Sequence, residues 1–151
     1  MELGGLMEQE AADKKTAANE IVSLDNEREK RRKAFFYWNV GGRDYQMKLT
    51  TGMIERLENK YRANIMNLVS DSGIPPLSIM LTVLQAAMTP WEHGVSYEDT
   101  KRLYDRWLEE GGSQMELYTN VLMPVLAVSG FFTAKQAEGI LAKMENLDEL
   151  L

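Results

Sequence analysis

The chain has 151 residues, with 23 acidic against 17 basic side chains, ten methionines, one histidine and no cysteine. That length suffices for one domain with a substantial core, and the lack of cysteine excludes disulfides and thiolate metal sites while admitting a reducing compartment. The acidic balance disfavours a general nucleic-acid binder, which needs an excess of Lys and Arg on one face.

Residues 1–33 stand apart as a charged arm. From Glu8 to Lys33 they hold seven acids and seven bases, with Ile21, Val22 and Leu24 as the only compact apolar cluster. Glu10 with Lys14, Glu27 with Arg31 and Glu29 with Lys33 fall at i,i+4 in the favourable order, so the arm is expected to be a solvated helix or disordered. Its basic run, Arg28 and Lys30 to Lys33, suggests an alternative function as a nucleic-acid-binding regulator. Glu27 and Glu29 interrupt the run, and cations are also favoured where a helix ends. The opening MELGGLMEQEAADKK has neither the basic start nor the apolar stretch of an export signal, and no segment approaches the ~18 apolar residues of a membrane span. A cytoplasmic protein without a membrane partner is expected.

Residues 34–151 are expected to form a single domain, mainly α with a small β part. In AFFYWNVGGRDYQMKL the Gly41-Gly42 pair can supply the two positive φ angles of a type I′ hairpin. The register then sets Val40 opposite Arg43, Trp38 opposite Tyr45, Phe36 opposite Met47 and Ala34 opposite Leu49, which makes one face apolar apart from Arg43. The other face pairs Asn39 with Asp44, Tyr37 with Gln46 and Phe35 with Lys48. A lone hairpin is marginal in water and needs helices over its apolar face.

About five helices follow. TTGMIERLENKYR has Thr51 as its expected N-cap and Ile54, Leu57, Tyr61 and Ile65 at helical spacing. NIMNLVSDSG reads as a short helical turn closed by Gly73. IPPLSIMLTVLQAAM, opened by prolines and apolar on nearly every side, reads as the central buried helix. Pro90 and Gly94 kink or end it. Ser96 and Asp99 then start an amphipathic helix with a stripe of Leu103, Tyr104, Trp107 and Leu108, stopped at Gly111-Gly112. Ser113 and Glu116 have capping-box spacing ahead of a helix that Pro124 should bend and Gly130 should stop. Thr133 and Gln136 repeat that spacing before a last stripe of Ile140, Leu141, Met144 and Leu147.

Catalytic signatures are missing. His93 is the one histidine, its neighbour Glu92 points about 100° away on a helix, and no second histidine completes a ligand set. The paired acids Glu98-Asp99 and Glu109-Glu110 fall in a first and a last helical turn, where solvation and capping account for them. The glycine pairs lack the spacing and the Lys of a phosphate loop. No cofactor and no enzymatic activity are expected. Two features invite a partner instead. The methionines either fill the core or form an adaptable apolar surface, and Phe35 and Tyr37, on the wet side of the hairpin, are either covered or free to make a contact. The candidate partner-binding residues are Phe35, Tyr37, Met53, Met66, Met115 and Met123.

The order of YWNVGGRDYQMKLTTGMIERLENKY, IPPLSIMLTVLQAAM, EHGVSYEDTKRLYDRWLEEGG and VLAVSGFF, over roughly residues 35 to 132, resembles the small tail assembly chaperones of long-tailed (siphovirus-type) bacteriophages and prophages of Gram-positive hosts. The resemblance implies a nonenzymatic protein of the host bacterial cytoplasm, absent from the mature virion. It implies binding to the tape measure protein, which it would keep from aggregating, and recruitment of tail tube protein. A homo-oligomer is compatible with that role. The arm of residues 1–33 is longer than the resemblance leads one to expect. Amphipathic tape measure helices would enter a Met-rich groove through i, i+3, i+4 and i+7 anchors, with avidity from many copies along one chain.

Overall fold

A computed structural model describes residues 33–70 and 73–150, with side chains to residue 143. The charged arm, with its i,i+4 pairs and all of its basic run but Lys33, lies outside the described residues, as do the side chains of Met144 and Leu147. Residues 32–151 form one compact unit. It opens with an antiparallel hairpin, β1 (Phe36–Val40) and β2 (Arg43–Met47). The helices α1 (Thr51–Tyr61), α2 (Ile65–Ser70), α3 (Leu77–Met88) and α4 (Tyr97–Glu109) follow. A helical run then comprises α5 (Gln114–Glu116), a π-helical stretch (Leu117–Leu122) and α6 (Met123–Val128), and α7 (Ala134–Leu150) ends the fold.

The hairpin has the register the glycine pair dictates, from Val40 opposite Arg43 to Phe36 opposite Met47. Gly41 and Gly42 sit at φ +63° and +77°, the left-handed region that a type I′ turn demands and that residues with a Cβ adopt only with strain. Alternation then buries Trp38, Val40, Met47 and Leu49, while Tyr37, Asn39 and Asp44 face outward.

α3 is the hub, packing against β2, α1, α2, α4 and the π-helical stretch. Six of its residues, Met80, Leu81, Val83, Leu84, Ala87 and Met88, are buried. Each large side chain so buried contributes about 1.5–3 kcal/mol of transfer free energy, which is why a nearly all-apolar helix ends up central. α4 meets it with Tyr104 and the wholly buried Thr100, whose hydroxyl donates to the Ser96 carbonyl at 2.9 Å and so enters the core with its polar atom paired.

Three local expectations are corrected. The cap of α1 is Thr50, not Thr51: Thr50 is extended (φ −76°, ψ 160°) and its Oγ1 accepts from the Met53 N–H at 3.2 Å. Leu49, buried and tied through its N–H to Ser129 Oγ at 2.9 Å, decides which of the two threonines opens the helix. Leu108 is 42% exposed and leaves the α4 stripe, because it lies about 100° round from Trp107 while Thr100 takes the inward place. Ser113 caps α5 by accepting from the Glu116 N–H at 3.1 Å, but the Glu116 carboxylate takes the Ser113 hydroxyl rather than its N–H, so the box is half made. The other two boxes, Ser96 with Asp99 and Thr133 with Gln136, are reciprocal.

Pro124 is accommodated by the π-helical stretch that precedes it. Proline has no N–H and its ring clashes with the carbonyl four residues back. Met123 N–H pairs instead with the Tyr118 carbonyl, five residues back, and the helical run continues through the proline with Leu117, Val121, Leu122, Val125 and Leu126 all buried. The run closes at Gly130, φ +98°, with Phe131 N–H on the Leu126 carbonyl at 3.2 Å.

Candidate partner-binding surfaces

The two wet-face aromatics part company. Tyr37 is 53% exposed. Phe35 is half-buried: the Trp91 ring stands edge-on to it at 4.8 Å, and Lys48 Nζ lies 5.7 Å from its centre. Of the candidate methionines only Met115, at 56%, is openly exposed, whereas Met53, Met66 and Met123 are half-buried against the core. Met47, Met80 and Met88 are core filling. Trp91, which is not among the expected contact residues, is 37% exposed. Its signal was a large aromatic between Pro90 and Gly94, where no helical stripe claims it.

Glu92 has a defined structural task. Its Oε1 accepts from the Gln46 backbone N–H at 2.9 Å and its Oε2 from Arg43 at 3.0 Å, and the carboxylate side chain is only 14% exposed. Arg43 in turn lies over the Tyr45 ring at 4.7 Å. His93, next to it, is exposed. Among the described residues no three His, Asp or Glu side chains gather as metal ligands. Asp99 is held below the usual carboxylate range chiefly by the Ser96 backbone N–H, and Lys101 is raised by its hydrogen bond to Glu98. Both are partly exposed groups of the α4 first turns, where capping and i,i+3 pairing explain the shifts.

Two grooves differ in chemistry. One, of about 440 Å³, runs between α1 and α3, with Met53, Leu57 and Ala86 as its apolar part and Arg56 and Lys60 as a basic rim. The second, of about 430 Å³, runs along β1, where Tyr37 and Asn39 face Trp107, Gly112, Glu110 and Glu116. Met53 and Tyr37 therefore line different grooves.

A family model described as a family of unknown function (DUF6096) matches residues 31–151. The chain belongs to DUF6096. The match begins two residues before the expected end of the charged arm and takes in the hairpin, every helix among the described residues and both grooves. No curated protein and no solved structure matches the chain. Among the described residues no helix of this DUF6096 member is long and apolar enough to cross a membrane.

Proposed function

We propose that this DUF6096 member is a nonenzymatic tail assembly chaperone of a long-tailed bacteriophage or prophage. It binds amphipathic helices of the tape measure protein in the host cytoplasm, keeps them from aggregating, and helps bring tail tube subunits to them. The observation that carries the reading is the α1–α3 groove, whose apolar part lies beside the basic α1 side chains Arg56 and Lys60 and suits a helix with one apolar face and an acidic flank. Half-buried Met53 can adjust its thioether to different apolar side chains as successive segments occupy the groove. Weak contacts suffice where many copies decorate one long chain.

Co-expression with the tape measure protein encoded in the same tail gene cluster tests the proposal. The expected result is a higher soluble yield of the tape measure and a complex that survives purification, with Ala86→Arg, which fills the groove, abolishing both. No rise in yield and no complex would defeat the reading, and a complex indifferent to Ala86→Arg would move the site elsewhere.

A further inference from the structure

We infer that the outer edge of β1 is a strand-addition site for an extended, basic segment of a partner protein, separate from the helix-binding groove. A two-residue turn closes on a hydrogen-bonded pair, so Val40, Trp38 and Phe36 turn their N–H and C=O groups toward β2, and Tyr37 and Asn39 turn theirs away. The corresponding outer edge of β2 is closed at Gln46 and Lys48. Gln46 N–H donates to Glu92 at 2.9 Å, Lys48 N–H to the Ala87 carbonyl at 3.0 Å, and the Lys48 carbonyl accepts from Trp91 Nε1 at 3.1 Å.

The β1 edge has no such cover. Gly41 N–H, at the turn end, donates to the Glu110 carboxylate, but among the described residues no hydrogen bond reaches the backbone N–H of Tyr37 or Asn39. Edges are ordinarily blunted by a charge, a proline, a bulge or a covering element. The strand FYWNV has no charge and no proline, and it is regularly paired throughout. Beyond it lies the second groove, of about 430 Å³, which Trp107 and Val121 also line. Trp38 also lines this groove, and its buried indole N–H is the single buried side-chain polar atom without a partner among the described residues.

Charge selects the occupant. Glu110 and Glu116 flank the groove, and the nearby Arg106 already pairs with Glu109 and Glu110. A second copy added across a twofold axis would bring these carboxylates toward their own equivalents. An extended segment alternating apolar residues with Lys or Arg meets both requirements: its backbone continues the ladder and its cations answer the two glutamates.

The test uses the full chain and a labelled, end-capped peptide, Val-Lys-Val-Lys-Val-Lys-Val. Three controls accompany it: the Glu-for-Lys analogue, an analogue N-methylated at alternate amides, and the protein alone over a concentration series. The expected result is saturable binding in fluorescence anisotropy, about tenfold or more weaker for both analogues, with new hydrogen-exchange protection at the Tyr37 and Asn39 amides. Asn39→Pro removes an outward N–H that the ladder does not use but also the Asn39 Nδ2 hydrogen bond to Asp44 Oδ1 at 2.9 Å, so it is compared with Asn39→Ala, which loses only that bond. Asn39→Pro should bind about tenfold more weakly than Asn39→Ala. Equal binding of the N-methylated peptide would reduce the effect to charge alone and overturn the inference. So would no binding of the Lys peptide, or protection of those amides by self-association. None of these outcomes bears on the Ala86→Arg result, so the two readings fail separately.

Discussion

Gly112 has no need of glycine's backbone freedom, yet the fold cannot give it a side chain. A Cβ built there would lie 2.3 Å from Trp107 Cε2, 2.4 Å from Nε1 and 2.5 Å from Cδ2, separations that only movement of the indole can relieve. That indole donates from Nε1 to the Ser113 carbonyl at 3.2 Å and stands edge-on to the buried Trp38 ring at 6.1 Å. Gly112→Ala must therefore shift Trp107 and sacrifice part of both contacts. An overpacked site typically costs 1–3 kcal/mol, and the hydrogen bond and the aromatic pair add roughly 1 kcal/mol each at most, so the expected loss is about 2–4 kcal/mol. Urea unfolding followed by tryptophan fluorescence measures it. Trp107→Ala should remove most of the penalty of a subsequent Gly112→Ala, giving a coupling of about 2 kcal/mol in the double-mutant cycle. A Gly112→Ala protein within about 0.5 kcal/mol of the parent, the range of an unremarkable surface change, would refute the steric account.

Glu92→Ala should cost about 2–3 kcal/mol, since it strips a charge-assisted acceptor from both Arg43 and the Gln46 N–H, and hydrogen exchange at the Gln46 amide should quicken. Gly139→Ala, inside α7 with open space where the Cβ would go, should stabilise by about 0.5–1 kcal/mol in thermal unfolding. The Asp99 carboxyl is held below its ordinary 3.8, so its ionised form favours the folded state. That contribution is complete above the ordinary value and disappears as the pH falls through the lowered one. Asp99→Asn should accordingly flatten the acid limb of the stability profile, and an unchanged limb would contradict the capping role.

The hairpin was legible because two adjacent glycines fix both the turn and the register, and period-two alternation then assigns each aromatic to a face. The central helix and the capping residues Ser96, Ser113 and Thr133 were legible for a similar reason, since their signals are local. What escaped were features made by residues far apart in sequence. Phe35 and Tyr37 have the same alternation and the same apolar character, and only the arrival of Trp91 separates a covered ring from an exposed one. The closing of the β2 edge by Glu92 and Trp91 is equally nonlocal, which left Glu92 visible in the sequence only as a neighbour of His93. Gly112 read as part of a helix stop, and the indole that fills its space could not be seen from spacing. The methionines divided by depth, a property that their composition does not encode.

The π-helical stretch from Leu117 to Leu122 and the proline after it also bear on how relatives should be aligned. A π turn contains one residue more than the α turn it replaces. A family member lacking one residue between these positions would close as ordinary α-helix with its downstream residues on the same face, but a proline at the place of Pro124 would then meet the carbonyl four residues back. Within DUF6096, the extra residue and the proline should be gained and lost together, and an alignment gap placed here marks a change of helix type rather than a loop of variable length.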